Sequence, residues 1–218
     1  MGRSSADVAA RIQHTNLRPE ATRADIERLL SECLEHGFHA AVVNPIWLPM
    51  AVRKLQGSSV AVCTALDFPV GGDTVATVAR ATAEARQAGA QEIDVMTKVG
   101  WLKSEMDVAY RQHLAAVVKA ADGAPVKAML EAGFLTKHEL ALAVELCADA
   151  GLAYLKNSSG EGGGEATPAL IADLVRLAKG RMQVKASGGI RTLEEARALL
   201  DAGADVLGTS ASVAIVSA

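Results

Sequence analysis

Two lysines in this chain stand where lysines are hard to place. Tyr154-Leu155-Lys156-Asn157-Ser158-Ser159-Gly160 puts an amine near the end of a short apolar strand and then drops into a glycine-rich loop. Val184-Lys185-Ala186-Ser187-Gly188-Gly189 repeats the pattern, and an acid, Asp94, sits in the similar stretch Glu92-Ile93-Asp94-Val95-Met96. In a strand covered on both faces such side chains must point into a packed interior or a pocket. A lysine with the ordinary pKa of about 10.4 leaves roughly one molecule in 2,500 neutral at pH 7. Bringing that pKa to about 7 takes about 4 to 5 kcal/mol, which a close like charge and partial desolvation can supply. An amine so tuned is a nucleophile that condenses with a carbonyl to a Schiff base.

The elements that must position these residues are announced by a repeated phrase: helix end, glycine, apolar strand. His36-Gly37-Phe38 leads into Ala40 to Val43, Ala88-Gly89-Ala90 into Ile93-Asp94-Val95, Ala150-Gly151-Leu152 into Tyr154-Leu155-Lys156, and Ala202-Gly203-Ala204 into Val206-Leu207-Gly208. Each glycine suits a left-handed helix end. Further strand candidates are Val60 to Ala65, Val126 to Leu130 and Met182 to Ser187, with Ile12-Gln13-His14-Thr15 as a short opening strand. Helical periodicity covers Arg23 to His36, Ile46 to Leu55, Thr74 to Ala88, Glu105 to Ala121, Lys137 to Ala150, Pro168 to Ala178 and Leu193 to Ala202.

Strands and helices that alternate so regularly imply parallel strands joined by right-handed crossovers. The expectation is an α/β protein, a single-domain TIM (β/α)8 barrel over residues 1–218, with about the first ten residues a polar N-terminal extension or short helix. Asp94, Lys156, Lys185 and Ser187 then fall at the C-terminal ends of strands, where such barrels do chemistry. Asp94, Lys156 and Gly208 each follow the glycine of their repeat by five residues, which predicts a similar height in the barrel. Lys156 and Lys185 belong to the sixth and seventh strands, neighbours about 4.8 Å apart.

Composition narrows the partners. Twenty-two basic and 25 acidic residues give a formal charge of -3, which offers no electrostatic case for nucleic acid or an anionic membrane. No apolar run reaches spanning length, and Met1 to Ala10 lack the apolar stretch of a signal peptide. Cys33, Cys63 and Cys147 are odd in number and widely spaced, as expected of reduced, buried thiols in a cytoplasmic protein, and no metal-ligand spacing is present. The expected ligand is a small molecule. Gly162-Gly163-Gly164 lacks the spacing of a dinucleotide fingerprint.

Taken together, "YLKNSSG" around Lys156, "VKASGGIRT" around Lys185, "EIDV" around Asp94, "HTNLRPEAT", "VNP", "DFPVGG" and "LGTS" resemble deoxyribose-phosphate aldolase from about Ile12 to Ile215. The resemblance implies a class I aldolase that reversibly cleaves 2-deoxy-D-ribose 5-phosphate to acetaldehyde and D-glyceraldehyde 3-phosphate, without metal or other cofactor. By position, Lys156 would form the imine, Lys185 would depress its pKa, and Asp94 would shuttle protons through a water. The phosphate would sit on backbone donors of Ser187-Gly188-Gly189 and Gly208-Thr209-Ser210, with Gly160 in the neighbouring loop. A homodimer is allowed for, through surfaces the sequence does not identify.

The chain also departs from the family pattern. Gln13 stands in the usual "IDHT", Asn157 and Glu161 in "KTSTGF", Thr97-Lys98 where "IN" is common, and Val42 where many relatives carry cysteine. Glu161, Glu165 and Asp67 are expected to add negative charge near the mouth, with Lys98 offsetting part of it. Other readings stay open. A lone strand lysine is usually a snorkelling or paired side chain, Asp94 could simply pair with Lys127 or Lys185, and Gly188-Gly189 could be only a tight turn. Lys127 could face either side of its strand. Three functions therefore compete: the phosphate-dependent aldolase, the same lysine chemistry on non-phosphorylated aldehydes or sugars, and a non-catalytic barrel that binds a sugar phosphate.

Overall fold

The structure, a computed structural model, describes residues 3–218; Met1 and Gly2, the start of the expected extension, lie outside the described residues. The chain opens with α1 (Ser5–Ala9), β1 (Ile12–Asn16), α2 (Arg23–His36), β2 (Ala40–Val43), α3 (Leu48–Leu55) and β3 (Ala61–Leu66). It continues through α4 (Val75–Gln87), β4 (Glu92–Met96), α5 (Val99–Lys103), α6 (Asp107–Ala120), β5 (Val126–Met129) and α7 (Lys137–Asp149). It closes with β6 (Tyr154–Lys156), α8 (Pro168–Ala178), β7 (Gln183–Ser187), α9 (Leu193–Asp201), β8 (Val206–Thr209) and α10 (Ser212–Val216). Each strand pairs in parallel with the next, and β8 returns to β1, so the sheet is a closed eight-stranded barrel. This is the expected TIM (β/α)8 fold.

Local chemistry explains where the helices begin. Thr22 with Asp25, Thr136 with Glu139, and Thr192 with Glu195 form reciprocal capping boxes at α2, α7 and α9, while Pro168 opens α8 behind its cap Thr167. The glycines of the repeated phrase, Gly37, Gly89, Gly151 and Gly203, all take positive φ, which lets each helix end turn straight into the following strand. The predicted helix Ile46 to Leu55 divides into a 3-10 turn, Pro45–Trp47, and α3, with proline near the start of each. Glu105, placed in a helix by periodicity, takes φ 57 and lies before α6. Short α5 and α10, five residues each, were not expected. So few turns carry no measurable period.

The sheet separates two environments. Alternate strand residues such as Ile12, Ala41, Val43, Ile93, Val95, Ala128, Leu155, Val184 and Leu207 join the apolar core beneath the helices. Their neighbours point into the barrel and are different in kind. Ala40, Val42 and Cys63 form one small apolar group there and Ala65, Met96 and Met129 another. The rest of the interior carries charge: Glu92, Asp94, Lys127, Lys156 and Lys185 are all buried. Burying an ion without a partner is expensive, so these groups have to satisfy one another.

Candidate active site

Asp94 lies at the centre of the interior cluster. Its Oδ2 accepts hydrogen bonds from Lys185 Nζ at 2.7 Å and Lys156 Nζ at 3.0 Å, and its Oδ1 lies 3.1 Å from Lys127 Nζ. The Cys63 thiol donates to the same Oδ1 at 3.4 Å. Lys127 also reaches Glu92 Oε2 at 2.6 Å, and His39 Nε2 lies 3.1 Å from Glu92 Oε1. Gln13 joins the two ends: its Nε2 donates to Glu92 Oε2 at 2.7 Å, and its Oε1 accepts from Lys185 Nζ. Three lysines thus share two carboxylates.

Strand register creates this arrangement. Lys156 is the direct partner of Lys185 across β6 and β7, and Asp94 of Lys127 across β4 and β5. Gly208 on β8 completes the ring, since a Cβ added there would stand 2.9 Å from Lys185 Cε. Glycine leaves the space that the lysine side chain fills.

Electrostatics follow from geometry. Burial, opposed by Asp94 and reinforced by the Lys156 and Lys127 charges, lowers the Lys185 amine to about 8. Burial would raise the Asp94 carboxyl, but the ammonium groups of Lys185, Lys156 and Lys127 outweigh it and hold the acid well below the usual range. Glu92 is pulled to about 2, because the His39 hydrogen bond and Lys127 overcome its burial. For Lys127 burial is outweighed by Cys63, Asp94 and Glu92, and its amine is held above the ordinary value. Cys63 is pushed up to about 12 by burial and by Asp94, so its thiol stays protonated and unreactive.

Above the cluster a cleft of about 730 Å³ opens at the C-terminal ends of the strands. Lys156 is at its floor, 3% exposed, and the loops carrying Gly160, Ser187, Gly188, Gly189, Gly208, Thr209 and Ser210 line its side. All ten sequence-predicted residues are therefore in one place, Lys185 and Asp94 beneath the floor and the rest on the cleft. The Ser187 N–H, an expected anion donor, is occupied: it donates to Asn157 Oδ1 at 2.8 Å, while Asn157 Nδ2 donates to Ser187 O at 2.9 Å. Among the described residues the N–H groups of Gly188, Gly189 and Ser210 have no partner within the chain. Thr209 Oγ1 donates to Ile190 O at 2.8 Å and ties β8 to the same loop. The loop after β6 is anchored from below, with the Ser159 N–H on Glu131 Oε1 and the Gly133 N–H on Gly163 O at 2.7 Å.

One electrostatic expectation is corrected. Lys98 and Asp67 do not face the mouth as opposing free charges: they form a buried ion pair, and Lys98 also donates to Gly71 O at 2.8 Å and Asp73 O at 2.6 Å. All three donors of Lys98 are spent on the loop after β3, leaving none for the cleft. Glu161 is exposed on the rim as expected, and Glu165, also exposed, lies 4.0 Å from Arg191. Glu92, Gln13 and Cys63 also belong to the cluster but are not among the site residues expected from the sequence. For Glu92 the signal was available, because two residues before Asp94 on a strand is the same face.

Barrel and cleft define a TIM-barrel protein with an amine, Lys156, at the floor of its cleft. No family model matches the chain. It is 46% identical over 207 residues to the deoxyribose-phosphate aldolase of Thermosynechococcus vestitus, covering 95% of this chain and 94% of that one. With the deoxyribose-phosphate aldolase of Dictyoglomus turgidum it shares 38% over 211 residues, 97% and 96% of the two chains. Among solved structures, the tetrameric deoxyribose phosphate aldolase from Aeropyrum pernix matches with a TM-score of 0.92 at 33% identity, over 98% of this chain and 91% of that one. The chain belongs to the deoxyribose-phosphate aldolase family, whose members are aldehyde-lyases.

Proposed function

We propose that the enzyme reversibly cleaves 2-deoxy-D-ribose 5-phosphate to acetaldehyde and D-glyceraldehyde 3-phosphate through a Schiff base on Lys156. The observation that carries this reading is that Lys156, of the three interior lysines, is the one that lines the cleft while still touching Asp94. Its amine adds to the C1 aldehyde of the open-chain sugar and water leaves, giving a protonated imine. The imine accepts the electron pair of the C2–C3 bond as the C3 hydroxyl gives up its proton, which releases glyceraldehyde 3-phosphate and leaves an enamine. A proton returns to C2, and water then frees acetaldehyde and the amine.

Lys185 is poised to hold or release the protons these steps move, since its amine titrates near 8. Asp94 stays ionised between the two amines and bridges them, with water carrying protons between this group and the substrate. The phosphate dianion is assigned to the free N–H groups of Gly188, Gly189 and Ser210, at loops that bind phosphate in many such barrels. Glu161 on the rim and the occupied Ser187 N–H support a second reading, the same chemistry with weakened preference for phosphate. The location is read as cytoplasmic, and a homodimer stays allowed for, while the Aeropyrum relative is described as tetrameric. The first test is product analysis: deoxyribose 5-phosphate should yield acetaldehyde and glyceraldehyde 3-phosphate in equal amounts, at a higher kcat/KM than deoxyribose. Equal values for the two sugars would favour the second reading, and no cleavage of either would end both.

A further inference from the structure

The amine of Lys156 has two unlike flanks. Lys156 is the direct cross-strand partner of Lys185 on β7 and, on its other side, of Met129 on β5. Its Nζ lies 3.0 Å from Asp94 Oδ2 and 3.4 Å from Met129 Sδ, so a carboxylate and a thioether both stand against the amine. Met129 is fully buried, and its own partner across β4 and β5 is Met96, with Ala65 completing an apolar group inside the barrel. Leu17 and Phe68, which line the cleft, pack against that group. The proton transfers proposed for the cleavage use none of this apolar wall.

Strand order determines which part of a bound carbonyl compound meets the wall. In an imine on Lys156, C1 is planar and carries two further groups, the C2 arm of the substrate and one other. The C2 arm has to run toward the N–H groups of Gly188, Gly189 and Ser210, which are assigned to the phosphate and lie on the loops after β7 and β8. Because β7 and β5 flank β6 on opposite sides, the remaining group on C1 is turned toward β5 and Met129. For an aldehyde that group is hydrogen; for a ketone it is carbon. With Sδ already in contact with Nζ, a hydrogen fits beside the sulfur and a methyl group crowds it.

We propose that Met129 is a specificity-determining residue, the side chain that favours aldehydes over ketones as the carbonyl compound joined to Lys156. The inference rests on the Schiff-base reading of Lys156 and adds to it the group that selects the donor. The thioether acts through its bulk, so an apolar side chain of similar volume serves as well. The expected signature is a change in the ratio of two carbonyl compounds, which a general loss of stability or of amine reactivity would not move.

The test is borohydride reduction of the full chain in the presence of either acetaldehyde or acetone, followed by mass measurement and peptide mapping. Hydride adds to the imine carbon, so acetaldehyde leaves an ethyl group on Lys156 and acetone an isopropyl group. The quantity read is the rate of labelling by acetone relative to acetaldehyde, in which the lower intrinsic reactivity of a ketone cancels when variants are compared. Met129→Ala should raise that ratio by about tenfold or more, the scale of discrimination that small changes of apolar volume give. Met129→Leu, of similar volume, should leave the ratio nearly where it is. Should Met129→Ala not fold, Met129→Val removes less of the wall and should raise the ratio by a smaller factor. An unchanged ratio in either truncated variant would overturn the inference and leave the Schiff base intact, as would an equal rise in Met129→Leu or a folded Met129→Ala that neither compound labels. Absence of an ethyl group on the unsubstituted enzyme would overturn both.

Discussion

Lys156 and Lys185 stand directly across from each other on adjacent parallel strands and donate to the same oxygen of Asp94, at 3.0 and 2.7 Å. Two amines on one acceptor are not equivalent here, because the cleft reaches Lys156 and leaves Lys185 fully enclosed. On the proposed mechanism the first meets the carbonyl and the second trades protons with it.

That division predicts the behaviour of Lys185→Leu. Asp94 keeps Lys156 and Lys127 as partners, so the cluster retains its carboxylate, but the proposed proton carrier is lost. The kcat should fall by about 10²-fold or more. The unsubstituted enzyme should show an inflection near pH 8, where Lys185 titrates, that the variant lacks. A variant that keeps both the inflection and most of its kcat would assign the proton to another group.

Asn157 predicts a stability effect. Its buried amide clamps both backbone atoms of Ser187 and thereby holds the end of β6 to the end of β7. Asn157→Ala removes two hydrogen bonds and orphans a buried N–H and C=O, for an expected loss of about 2 to 3 kcal/mol. Denaturant unfolding checks this. A change within about 0.5 kcal/mol would mean that water or another donor replaces the amide.

Lys98 predicts a similar loss for a different reason. Lys98→Met leaves Asp67 in a buried site without its counter-charge, which should destabilise the enzyme by about 3 kcal/mol. Adding Asp67→Asn should recover part of that loss, because no uncompensated charge then remains. Non-additivity in this double-mutant cycle is the measurement, and simple additivity would show that the two residues act separately.

The fold was legible because glycine, strand and helix recur at regular intervals, and the lysines were legible because strand interiors rarely hold them. What stayed hidden has physical causes. Val126-Lys127-Ala128-Met129 is buried on both faces, so no polar alternation reveals which way Lys127 points. The closed register settles it, by pairing Lys127 with Asp94. The Lys98–Asp67 pair joins residues 31 apart, and no local pattern encodes that contact. Gln13, a departure from the family pattern in the sequence, is part of the buried charge network.

Acid stability should report the same network. Glu92 titrates at about 2 in the fold against 4.5 for the ordinary group, a depressed carboxylate. Its contribution is fully present above about pH 4.5 and is lost as the pH falls towards 2. Linkage puts that contribution on the order of 3 kcal/mol, and Asp94 acts in the same direction. Denaturant midpoints measured from pH 5 to pH 2 should fall steeply for the unsubstituted enzyme and less steeply for Glu92→Gln. Parallel curves would remove Glu92 from the acid transition.

On the proposed mechanism Lys156 carries the substrate carbon, and borohydride reduction in the presence of acetaldehyde captures that bond. Reduction of the imine should add one ethyl group to the protein, and peptide mapping should place it on Lys156. Lys156→Ala should take up no label and show no cleavage. An ethyl group mapped to Lys185 or Lys127, or full cleavage by Lys156→Ala, would show that Lys156 is not the imine-forming residue.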